Sequence, residues 1–266
     1  MPKPRRALEI FLSVGATAGV LASTISPTPA LAQHQHHGAG LSAQGGEGGE
    51  GGEGGEAGHS SAVETKLDAL VVIAQMQGHL LVAQELLEQQ NFKAAEPHVG
   101  HPVDELYGAL APALQRFGVA PFLPTLEALR QQVRLNPSSP ESKLKLVQAQ
   151  QAIAAAAKSI DGQAAMPASL LLSVVRQLGA TASEEYSASI AGDRVVEVIE
   201  YQDARGFLLE AQRLLAAGVA SQPADAAALM AQRNTVASML KAFPAVSPPQ
   251  KAVLSPDQLQ KLQQEL

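Results

Sequence analysis

The chain has 266 residues, of which 46% are hydrophobic, 17% charged and 3% aromatic, and its formal net charge is −6. So many apolar residues can build a core, which excludes a chain disordered throughout; the acidic balance argues against nucleic acid as the main partner, because phosphate binding needs clustered Lys and Arg. The sequence holds no cysteine, which excludes disulfides, thiolate metal sites and cysteine nucleophiles.

Residues 1–32 read as a signal peptide. Lys3, Arg5 and Arg6 form a basic start. An apolar stretch runs from Ala7 to Ile25, interrupted by Glu9, Gly15 and Gly19, and Pro27 and Pro29 lead to Ala30-Leu31-Ala32, an A-x-A cleavage pattern. The alternative, a membrane anchor, suits the stretch less well, since it is near the lower length limit and carries a charge. Arg5-Arg6 with Leu8 resembles part of a twin-arginine signal, although the general secretory route serves as well. Cleavage after Ala32 predicts a mature chain in a bacterial periplasm or outside the cell, without stable membrane insertion.

Residues 33–62 form a leader. Eleven of the 22 glycines lie here and no Lys or Arg, so the segment cannot bury enough surface to offset its chain entropy and is expected to be disordered. His34, His36 and His37 cluster at its start, and Gly-Gly-Glu repeats four times from Gly45 to Glu56. Imidazoles this close on a flexible chain chelate Cu(II), Ni(II) or Zn(II), which makes these three histidines candidate metal ligands. The plainer alternative is a solvated spacer.

From Val63 onward the composition turns to Leu, Ala, Val, Gln and Glu, and strand signals are poor. The spacing and breakers predict helices near 64–90, 102–116, 121–135, 139–160, 167–190, 193–218, 223–242 and 256–265. The fold class is therefore all-α, a bundle of seven to eight helices over residues 63–266, with possible halves 63–161 and 167–266. The ten residues from Gly78 to Leu87 align without gaps on Gly206 to Leu215, with seven identities, which points to an internal duplication. The stretch Ala83 to His98 reads as one tetratricopeptide-type hairpin, but no second copy follows and a solenoid is not predicted.

Each long helix carries two polar stripes, where a surface helix should carry one. At 100° per residue, Lys66, Gln77, Gln84 and Glu88 share one direction, while Asp68, Gln75 and His79 share the opposite one. The equivalent helix places Arg194, Arg205 and Gln212 on one face and Glu200, Asp203 and Glu210 on the other. If the second stripes face a common interior, His79 meets Glu200 and Asp203. Buried carboxylates need hydrogen bonds, an Arg or a metal. For Glu200 and Asp203 the competing reading is an ion pair with Arg205 or a neighbouring Arg. His98 and His101 flank the turn before Pro102, with Asp104 and Glu105 after it. They add candidate ligands together with Glu105, or else serve as local caps. The candidate bundle set is thus His79, Glu200, Asp203, His98, His101 and Glu105.

No Gly-rich phosphate loop, G-x-S-x-G or H-E-x-x-H motif is present, so an enzyme is not expected. The helices around Gly78-His79 and Glu200-Tyr201-Gln202-Asp203, in an exported, cysteine-free, all-helical chain, resemble the imelysin-like periplasmic bundles. The resemblance implies iron or copper handling. The G-x-H-x-x-E motif of that family is absent, and no ligand is carried over from it. Two functional readings follow. The first is a non-catalytic periplasmic protein that holds one transition-metal ion (iron, copper or zinc) for capture or delivery, with the metal ion or an envelope protein as partner. The second is a structural or protein-interaction module of the cell envelope without a metal site.

Overall fold

The computed structural model describes residues 63–163 and 165–266. The expected signal peptide and leader, with His34, His36 and His37, lie outside the described residues.

The described chain is an α-helical bundle with one two-stranded hairpin. In chain order it runs α1 (Lys66–Glu88), α2 (Phe92–His101), a π-helical turn (Pro102–Leu106), α3 (Tyr107–Arg116), α4 (Leu123–Leu135), α5 (Pro140–Asp161), α6 (Ala168–Ser189), β1 (Ile190–Ala191), β2 (Arg194–Val195), α7 (Val198–Ser221), α8 (Ala226–Met239), a 3-10 turn (Leu240–Ala242) and α9 (Pro256–Gln263). The start of α1 is set by a capping box. Thr65 accepts from the Asp68 backbone N–H and the Asp68 carboxylate accepts from the Thr65 N–H. Asp68, expected on the inward stripe of α1, is therefore committed to the helix end, where these hydrogen bonds hold its carboxyl below the usual range.

Helix α1 packs on α2, α5, α6 and α7. It is apolar and long enough to cross a membrane by composition, but 67% of that window is buried inside the bundle. Gln77, expected on the solvent stripe, is buried as well, because α5 covers that side. The core centres on this helix and α7, with Met76, Leu80, Leu86, Tyr186, Tyr201 and Phe207 fully enclosed. α1 and α7 cross where Gly78 faces Gly206. A Cβ on Gly206 would lie 2.5 Å from the Gly78 carbonyl oxygen, and one on Gly78 would lie 2.8 Å from the Phe207 ring. Glycine costs about 0.5–1 kcal/mol relative to alanine inside a helix; here it permits an approach that no other residue allows. The two glycines paired by the internal alignment are thus the two in contact.

Three stretches depart from the sequence reading. Residues 92–101 form a helix where a turn was expected. Pro97 falls inside it, on a short helix that can spare one N–H, and Pro102 does not end the helical path. Its missing N–H removes the bond to the His98 carbonyl, and the chain widens into the π turn, closed by the Tyr107 N–H on the Pro102 carbonyl. Residues 193–195, expected as the first turn of α7, belong instead to a hairpin over 190–195: Gly192, at φ +65°, supplies the left-handed position of the tight turn. Arg194 is therefore in β2 and not on the helical stripe with Arg205 and Gln212. Between the 3-10 turn and α9 the Pro-rich segment 243–254 lies as a strap across the start of α7 and the end of α6. Tyr201 Oη donates to the Ala245 carbonyl (3.1 Å), Tyr186 Oη to the Leu254 carbonyl (2.7 Å), and the strap's own Phe243 and Val246 are buried. α9 is docked, with Leu259 fully buried.

Candidate metal centre

Three helices bring four side chains together. His79 lies in the middle of α1, one residue beyond the Gly78 crossing. His98 and His101, three residues apart, share a face of the last turn of α2. Asp203 lies in the second turn of α7, one turn before Gly206. Their potential ligand atoms, one per residue, lie within 4.8 Å of one another. His79, His98 and Asp203 are buried; the His101 side chain keeps 17% exposure. Reading the two histidines as residues of a turn hid this: only a helix over 92–101 places both on one face, aimed at α7.

Asp203 is the hub. Its Oδ1 lies 2.7 Å from His79 Nδ1 and 2.7 Å from His98 Nδ1, and its Oδ2 lies 3.4 Å from His101 Nδ1. All three rings therefore turn the same nitrogen to one carboxylate. The His101 contact, at 3.4 Å, is the longest of the three. On the far side of His98, Nε2 lies 2.8 Å from Gln202 Oε1, and Gln202 Nε2 donates to the Val246 carbonyl (3.1 Å). Phe207 closes the side of His79, ring centroids 5.1 Å apart.

The other expected residues are sorted by the same geometry. Glu105 and Glu200 are outside the four-residue group. Glu105 Oε1 is 3.8 Å from His101 Nε2, and Glu200 is half-buried at the start of α7, where burial, together with the charges of Asp203 and Glu197, pushes its carboxyl up. The expected meeting of His79 with Asp203 is present; Glu200 takes no part in it. Arg205 does not pair with either acid, since its guanidinium bonds Glu85 instead (2.9 Å). Glu210, on the inward stripe, is held by Arg213 through two 2.6 Å contacts and is accounted for as an ion pair. Asp104 pairs with Arg130 at 2.6 Å. Gln202 was not singled out in the sequence, and only the acceptor it offers to a buried histidine reveals it.

The donor set, three imidazole nitrogens and a carboxylate without sulfur, suits divalent first-row metals of borderline hardness. An ion bound about 2.0–2.2 Å from four tetrahedral donors spaces them roughly 3.3–3.6 Å apart; the 4.8 Å outer limit encloses that spacing, and the two 2.7 Å contacts of Asp203 Oδ1 are hydrogen bonds that would open as an ion replaced their protons. Gln202 beside His98 is the outer partner such ligands use.

The charges predict a pH profile for the metal-free protein. Burial alone would raise the Asp203 carboxyl, but the adjacent His79 and His98 rings, with hydrogen bonds from His101 and His79, hold it well below the usual carboxylate range. Its contribution to stability is complete above its unfolded value of about 3.9 and is lost as pH falls through the lowered folded value. Burial alone would lower His101, but the hydrogen bond and charge of Asp203 outweigh it and its folded value is raised. Its contribution is complete below about pH 6.5 and is lost as pH rises through the folded value. Metal-free protein in urea is therefore expected to be most stable between about pH 4 and 6.5, and His101→Ala is expected to flatten the alkaline side. An unchanged alkaline side in that variant contradicts the assignment.

Residues 163–266 match the model of the iron permease-associated 4-helix bundle domain. The matched segment spans α6, α7, α8 and α9, supplies Asp203 and Gln202, and relates the helical bundle to metal uptake. The match does not extend to the imelysin-like family. Neither the curated proteins nor the solved structures gave a match. The chain is thus similar, over its C-terminal part, to a helical domain associated with iron permeases.

Proposed function

We propose that this protein binds one divalent transition-metal ion (iron, copper or zinc) inside its bundle, without catalysis, and captures or delivers it on the exported side of a bacterial envelope. The observation that carries the reading is the convergence of His79, His98 and His101 on Asp203. A buried carboxylate answered by three imidazoles, rather than by a guanidinium as Glu210 is, has the composition of a metal-binding centre. The similarity of residues 163–266 to an iron permease-associated domain supports uptake as the setting and a membrane permease as the partner. The signal-like residues 1–32 support export, and His34, His36 and His37 would make first contact with the ion.

The test is elemental analysis of the full chain, tag-free and with His34, His36 and His37 replaced by Ser. The chain is offered Fe(II), Zn(II), Cu(II) and Mn(II) in competition. Retention of about one ion per chain is expected, falling at least a hundredfold in affinity in His79→Ala, a loss at or beyond the upper end of outer-partner effects. Equal retention by His79→Ala overturns the reading.

A further inference from the structure

We infer that Gln202 is a positioning residue: it holds the proton of His98 on Nε2 and so makes Nδ1 the atom offered to the ion. The inference rests on the metal-binding reading and adds to it which nitrogen binds and what decides this.

The argument starts from a group with no choice. The Val246 backbone carbonyl can only accept a hydrogen bond. Gln202 is 2% exposed, and its amide nitrogen lies 3.1 Å from that oxygen, so the NH2 end of the amide must face Val246 and the oxygen must face the other way. That oxygen lies 2.8 Å from His98 Nε2, and an amide oxygen can only accept. The hydrogen therefore sits on Nε2. With the Nε2 side taken up by Gln202, the nitrogen left to face Asp203 Oδ1 is Nδ1, at 2.7 Å. A 2.7 Å contact is a hydrogen-bond length, with one proton between the carboxylate and Nδ1; an ion that displaces this proton finds the Nδ1 lone pair already turned towards the carboxylate. Each link is buried, so water does not compete for the amide. The strap is what fixes the chain of bonds: Tyr201 anchors Ala245 from the same turn of α7 that carries Gln202, which keeps the Val246 carbonyl in place.

The experiment uses the full chain, ¹⁵N-labelled, with His34, His36 and His37 replaced by Ser, free of metal and then loaded with Zn(II). In the metal-free chain, two-bond ¹H–¹⁵N spectra are expected to show His98 protonated on Nε2. In the zinc-loaded chain they are expected to show Nδ1 coordinated and Nε2 still protonated. Gln202→Met keeps length and burial but offers no comparable acceptor, and zinc affinity is expected to fall about 10–100-fold. Gln202→Glu, which keeps an acceptor towards His98, is expected to recover most of that loss. Zinc bound through His98 Nε2, or wild-type affinity in Gln202→Met, overturns the inference. A wild-type chain that takes up no zinc overturns the metal-binding reading on which the inference stands. In that case the metal-free spectrum still decides the position of the proton, and a bare Nε2 overturns it.

Discussion

Gly206→Ala is expected to destabilise the bundle by about 3 kcal/mol or more and, under the proposed binding, to abolish metal retention although it touches no candidate ligand. The added methyl would lie 2.5 Å from the Gly78 carbonyl oxygen and 2.9 Å from its carbon. Backbone cannot rotate aside as a side chain does, so the helices must part. Their separation is transmitted directly to the centre, because His79 follows Gly78 and Asp203 is one turn from Gly206. For a domain of this size the thermal midpoint falls about 2–4 °C per kcal/mol, so a drop of roughly 6–12 °C is expected in calorimetry. A variant with the wild-type midpoint and full metal retention contradicts the crossing described here. Alanine at Gly108, where an added Cβ meets nothing within 4 Å, is the matched control.

Asp203→Ala is the second large effect. It removes the partner of three imidazoles at once and leaves buried nitrogens without an acceptor. Breaking a buried charge pair on one side costs about 3–5 kcal/mol, so the metal-free midpoint falls by about 10 °C and no ion is retained. Asp203→Asn separates the two roles. It keeps an acceptor oxygen of nearly the same shape and should recover part of the stability, while the lost charge still lowers metal affinity. Urea melts of the three proteins without metal, followed by zinc titration, make the distinction. Equal metal affinity in wild type and Asp203→Asn contradicts a ligand role for the carboxylate.

The helical class and most helix positions were legible because breakers such as Pro137, Pro140 and Gly162 interrupt long Leu- and Ala-rich runs. The inward aim of His79 and Asp203 was legible too, since a polar residue on the wrong face of an apolar helix has few reasons to be there. The aligned glycines placed α1 and α7 in equivalent roles, and the crossing joins those same two residues. The proline signal misled at Pro102, where the chain adapts by widening into a π turn. Arg130 of α4 also pairs with Asp104 on that turn, a tertiary contact no local pattern contains. The stripe rule erred at Gln77 because α1 is enclosed on more than one side. Glu200 satisfied the periodicity yet lies nearer the entrance of α7, half-buried and beyond the donors, since periodicity fixes a direction around a helix and says nothing of depth along it.

The four side chains of the centre come from parts of the chain far apart in sequence: three before residue 163 and one after it. An ion held among them joins α1, α2 and α7 as a cross-link that exists only while it is bound. A ligand that binds only the folded state stabilises it by about 2.7 kcal/mol at a hundred times its dissociation constant. Under the proposed binding, resistance to unfolding and to proteolysis would rise and fall with the surrounding free-ion concentration, and the lifetime of the chain would become a record of how much metal its compartment holds.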